Sequence, residues 1–122
     1  MMERSMKFEG ISRTFSTEGN RQYATIGAFW EEMSKIYGVE KLRGLGYNWT
    51  ENSIEYVIGL KEGIIDGANC SVVLPDTGWS TEKGNTADLG KMYGRIYKDR
   101  PLLYEIEMFT SSGSFEVLYY RN

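Results

Sequence analysis

The apolar residues of this 122-residue chain change period in the same order twice. Residues 6–15 alternate loosely, with Met6 and Phe8 on one face and Lys7 and Glu9 on the other before Ile11 and Phe15, which predicts a strand with a bulge at Gly10. A helical period follows over residues 21–37, where Tyr23, Ile26, Trp30, Met33 and Tyr37 recur at three- and four-residue spacing, Phe29 and Ile36 widen the stripe, and Gly38 stops it. The turn-forming stretch at 16–20 (STEGN) offers an N-cap for that helix. Period two then returns in residues 43–49 and 54–60, which the polar link at 50–53 joins as a hairpin. Leu45, Tyr47 and Trp49 share one face of the first of these strands, opposite Gly44, Gly46 and Asn48; Ile54, Tyr56, Ile58 and Leu60 share one face of the second.

The second half repeats this outline after a polar connection at residues 61–69. Residues 70–74 predict a strand, and a polar loop carrying Trp79 runs through Gly84 and Asn85 to a helix with the stripe Leu89, Met92, Tyr93, Ile96 and Tyr97. Gly90 and Gly94 each weaken that helix by about 1 kcal/mol relative to alanine, so they are expected to allow close packing on a sheet. Pro101 ends the segment, and strands at 103–109 and 115–120 flank the turn at 110–114. Strand, helix, strand, strand, given twice, predicts one α+β domain over residues 1–122, with pseudosymmetric βαββ units at about 5–62 and 69–121. Each unit's single helix covers its sheet only in part, so the two units are expected to share one core.

Charge and residue usage narrow the function. A net charge of −3 with scattered basic residues gives a polyanion no general attraction, so no direct nucleic-acid partner is expected. Apolar runs fall far short of a membrane span, and the N-terminus lacks the apolar core of a signal peptide, so the expectation is a cytoplasmic protein with no membrane partner. With no histidine and one cysteine, Cys70, the usual zinc sites, serine triads and cysteine–histidine dyads cannot be built, and neither metal nor cofactor is expected. Catalysis would fall to carboxylates, tyrosines, lysines or water. Aromatic residues make up 14%, with nine tyrosines and three tryptophans, which suits an aromatic-lined pocket as well as a core.

Residues 103–109 (LYEIEMF) carry the sharpest local signal. An extended backbone puts Tyr104, Ile106 and Met108 on one face and Glu105, Glu107 and Phe109 on the other. That second face is either a solvated outer surface or the floor of a pocket in which a glutamate meets a ligand. Two glutamates buried together would repel, raise one pKa and favour a shared proton.

The order of elements and several local phrases resemble the GyrI-like small-molecule-binding domain, the effector-binding domain of AraC-type and MerR-type bacterial regulators. The carrying residues are 26–30 (IGAFW), 44–47 (GLGY), Leu74 and Pro75 with Trp79 and Gly84, and 104–107 (YEIE) after Pro101. The resemblance implies a ligand cleft between two βαββ units, on the sheet face away from the helices. It implies a ligand that is hydrophobic and often cationic, met by Glu107 with Glu105 beside it, and walls drawn from Trp30, Tyr47, Trp79 and Tyr104. The chain has no room for a helix-turn-helix segment and reads as a stand-alone copy. Three functions follow from the resemblance: a small-molecule-binding protein; a small hydrolase of strained electrophilic compounds, with Glu107 as general acid or base; and a module whose partner is another protein, as in the gyrase-inhibitor members.

Overall fold

The computed structural model describes residues 6–96 and 102–121. In chain order these form strand β1 (Met6–Ser16), helix α1 (Gln22–Tyr37), strands β2 (Leu42–Tyr47), β3 (Ser53–Leu60), β4 (Cys70–Leu74) and β5 (Ser80–Asn85), helix α2 (Leu89–Ile96), and strands β6 (Tyr104–Phe109) and β7 (Ser114–Tyr120). The strands make one curled antiparallel sheet in the order β4-β1-β3-β2-β6-β7-β5. Tyr97 and Pro101, assigned above to the end of the second helix, lie outside the described residues.

Register sorts the central strands into two faces. Tyr56, Gly46, Glu105 and Tyr119 are cross-strand partners, as are Ile58, Gly44, Glu107 and Val117, so all of these point to one side. Both helices pack on that side. Phe29, Trp30 and Met33 of α1 bury against Leu42, Tyr56 and Ile58, while Met92 and Ile96 of α2 bury against Phe115 and Val117. The opposite side carries Val57, Leu45, Ile106 and Leu118. Here the sheet covers itself: β4 and the first half of β1 bring Phe8 and Leu74 onto Leu45, Val57 and Ile106. Each of these fully buried side chains contributes about 1.5–3 kcal/mol relative to exposure.

Strand β1 makes this closure by changing partners, pairing with β4 through Met6 to Gly10 and with β3 from Ile11 to Ser16. Gly10 sits at the changeover, where a Cβ would fall on the Ile58 carbonyl, and a Cβ on Gly59 would fall on that of Glu9. Close backbone approach is therefore the physical reason for both glycines.

Three expectations change. Residues 80–85, expected as loop, form the edge strand β5 against β7. A strand with one neighbour needs no apolar face, and its charges suit an edge: Glu82 accepts from Arg95 at 3.0 Å and Lys83 lies 3.7 Å from Glu116. Helix α1 has no side-chain N-cap; a 3-10 turn over Glu18–Asn20 leads into it instead, and Gly38 ends it at φ 90° as expected. Gly90 and Gly94 are exposed, and among the described residues a Cβ at either would meet no atom within 4 Å beyond its chain neighbours and its own helix backbone, so neither packs on the sheet. No helix among the described residues is long and apolar enough to cross a membrane.

Candidate functional site

At the middle of the helix-bearing face, β2 presents only hydrogen atoms. Gly44 stands opposite Glu107 and Gly46 opposite Glu105 in the β2–β6 ladder, so the two carboxylates occupy space that side chains on β2 would otherwise fill. Above this floor the two helices leave a cavity of about 480 Å³. Tyr23, Ile26 and Trp30 of α1 form one wall, Leu89 and Tyr93 of α2 another, and Trp49, Ile54, Tyr56 and Phe109 complete the apolar lining. Its volume is ordinary for a small-molecule site.

The polar groups of the floor are connected. Trp30 Nε1 donates to the Tyr56 hydroxyl at 2.8 Å, and that hydroxyl donates to Glu107 Oε1. Trp30 is fixed on its other side by Phe109, whose ring meets it edge-on at 4.9 Å and 84°. Gly44 makes the chain possible: a Cβ there would land on the Tyr56 hydroxyl and within 2.8 Å of Trp30 Cζ2.

Burial dominates the electrostatics. Glu105 is 3% exposed and Glu107 6%, which is rare for carboxylates. Desolvation pushes the Glu107 pKa up to about 7, against a smaller downward pull from the Tyr56 hydrogen bond. Burial, followed by the neighbouring Glu107 charge, drives the Tyr56 phenol well above its ordinary value. Tyr23, at the mouth and 55% exposed, is also raised, first by burial and then by the charges of Glu105 and Glu107. Among the described residues the lining includes these two carboxylates and no lysine or arginine. Among the described residues no three of His, Cys, Asp and Glu gather as a metal would require.

The structure divides the six residues proposed from sequence. Glu105, Glu107 and Trp30 meet at the cavity. Tyr47, Trp79 and Tyr104 belong to the opposite face, packed with the buried cluster around Leu45 and Ile106. Tyr47 and Tyr104 are cross-strand partners there, and Trp79 lies 6.2 Å from Tyr104 and 5.6 Å from Tyr120 while donating to the Pro75 carbonyl. The cavity is thus on the helix-bearing face, not the face away from the helices. The curl of β4 and β1 is the reason, because it fills that other face with side chains.

Sequence reasoning missed Tyr23, Trp49, Tyr56 and Tyr93 as lining. For Tyr56 a signal existed, in that it shares the strand face of Ile54 and Ile58, but only register shows that this face continues to Glu105 and Glu107. Alternation alone places Trp49 on the face of Leu45 and Tyr47. The positive φ of 52° at Asn48 ends the alternation after β2, and Trp49 then turns to the cavity.

A buried carboxyl with a pKa near neutrality can hold a cation when ionised and exchange a proton when not. No protein-family model, curated protein or solved structure matches this chain.

Proposed function

We propose that the cavity binds hydrophobic small molecules, organic cations in preference to neutral compounds of the same shape. The observation that carries this reading is the placement of Glu105 and Glu107 at the floor of an aromatic cavity with no basic side chain among its described lining residues. Removal from water strengthens the attraction of a carboxylate for a cation, and the faces of Trp30, Trp49, Tyr23 and Tyr93 add apolar contact and cation–π attraction. Entry of a cationic ligand supplies positive charge beside the carboxylates and favours the ionised form of Glu107.

The resemblance to the GyrI-like domain implies the same class of ligand, although it implies a cleft on the opposite sheet face. The orders β1-β3-β2 and β5-β7-β6 mirror each other about the β2–β6 junction, and a helix follows β1 in one and β5 in the other. That arrangement supports two βαββ units, the second beginning at β5 instead of near residue 69 and leaving β4 as an addition.

The test is titration with lipophilic cations and neutral isosteres, followed by tryptophan fluorescence, on wild type and Glu107→Gln. Trp30 and Trp49 line the cavity, so saturable quenching is expected. Glu107→Gln is expected to weaken the cations at least tenfold and the neutral compounds little; equal losses would sink the ion-pairing idea.

A second reading, hydrolysis of an electrophilic ligand, is favoured by one observation. Glu107, with a pKa of about 7 and a hydrogen-bonded tyrosine, has the proton affinity that general acid–base catalysis needs at neutral pH. Product formation lost in Glu107→Gln with binding retained would select it.

A further inference from the structure

Three helical glycines have no structural explanation within the fold. Gly27 of α1 and Gly90 and Gly94 of α2 all lie outside the left-handed backbone region, and among the described residues a Cβ at any of them would meet no atom within 4 Å beyond its chain neighbours and its own helix backbone. Neither turn geometry nor crowding calls for glycine, yet each weakens its helix by about 1 kcal/mol relative to alanine. Helix α2 spans only Leu89–Ile96 and carries two of them. What the three share is a location. Gly27 lines the cavity above the carboxylates, while Gly90 and Gly94 line a second hollow of about 600 Å³ with Tyr23, Leu89 and Tyr93. Those last three residues also line the inner cavity, so the two spaces are neighbours divided by the Tyr23 and Tyr93 rings, which pack on each other with centroids 6.4 Å apart at a tilt of 42°.

The outer groove therefore borders the inner site, has no charged side chain among its described lining residues, and is kept free of side chains at the expense of helix propensity. We infer that it holds the apolar chain of an elongated amphiphilic amine whose cationic head sits over Glu105 and Glu107. This rests on the binding reading above and extends it from a compact cation to one with a tail. For the chain to pass, the 55% exposed Tyr23 ring swings away from that of Tyr93; Leu89 then provides aliphatic contact, and the glycines let the chain lie against the α2 backbone. A ligand confined to the inner cavity would not touch Gly90 or Gly94, which line only the outer groove.

The experiment is calorimetric titration with n-alkyltrimethylammonium ions from butyl to decyl, below their micelle concentrations, on wild type, Glu107→Gln, Gly90→Leu/Gly94→Leu and Gly90→Ala/Gly94→Ala. Wild-type affinity is expected to climb roughly two- to fourfold per methylene once the head is seated, the upper value corresponding to full burial. The leucine pair is expected to bind the butyl ion like wild type and to lose the gain for longer chains; the alanine pair loses part of it. Circular dichroism reports folding, and melting at or above the wild-type temperature is expected because the new side chains stand in open space. If the leucine pair does not fold, the alanine pair decides on the same criterion. Wild-type affinity independent of chain length, or a gain undiminished in the variants, overturns the groove while Glu107-dependent binding of the butyl ion leaves the inner site standing. No binding at any length overturns both.

Discussion

Gly44 and Glu107 face each other across the β2–β6 ladder, and the missing side chain of the first makes room for the hydrogen-bonded chain that reaches the second. Trp30, Tyr56 and Glu107 all converge above Gly44. Gly44→Ala is expected to force a methyl group onto the Tyr56 hydroxyl and destabilise the protein by about 1–3 kcal/mol, as overpacking of a well-filled core does. Denaturant unfolding measures this; an unchanged midpoint would show that Tyr56 can move aside freely.

Glu107 should itself reduce stability at alkaline pH. Its folded pKa of about 7 lies above the ordinary 4.5, so between these values the folded chain retains a proton that the unfolded chain has released. Stability contributed by this group consequently falls as pH rises from about 4.5 to about 7, and above that the full penalty is present, on the order of 3 kcal/mol. Glu107→Gln removes the titration. The variant is expected to be more stable than wild type near pH 8 and to match it near pH 4, below the ordinary pKa, as thermal melts at both values would reveal; a pH-independent difference would refute the burial account.

Ligand affinity should follow the same proton. For a quaternary ammonium ion, whose own charge does not vary, affinity is expected to drop toward tenfold per pH unit below about 7 as Glu107 becomes neutral. Tyr56, Tyr23 and Glu105 face the same cavity, and of these only Tyr56 donates to Glu107 in a way that holds its pKa down. Tyr56→Phe is therefore expected to move the midpoint upward, besides weakening the fold by about 1–3 kcal/mol through the stranded Trp30 N–H and carboxyl. Calorimetry across pH on both proteins checks the direction; a midpoint that moves down would contradict it.

Trp79→Phe provides a negative control. Trp79 packs on Tyr104 and Tyr120 on the far side of the sheet, so the substitution is expected to change total fluorescence and leave ligand affinity within about twofold, while Trp30→Phe, which removes the donor to Tyr56, weakens binding. A large loss in Trp79→Phe would place the ligand on the wrong face of the sheet for the cavity described.

The chain by itself determined what depends on neighbours in sequence. A three- and four-residue recurrence can bury only as a helix, and α1 spans Gln22–Tyr37 with Phe29, Trp30 and Met33 inside. Alternation alone puts Glu105, Glu107 and Phe109 together and sets Tyr104 against them, which the register preserves. Strand β5 left no such trace, because an edge strand with polar residues on both faces has nothing for periodicity to detect.

Tertiary structure decided which face is which. Period two states that two side chains lie on the same or opposite sides of a strand; it does not state which side a distant segment will cover. Only long-range pairing brings Gly44 and Gly46 beside the glutamates, continues the face of Tyr56 into theirs, and folds β4 and the start of β1 over Tyr47, Trp79 and Tyr104. The carboxylates were legible as a pair, but their burial, and with it the upward shift of Glu107, comes from two helices and a curled sheet excluding water around them.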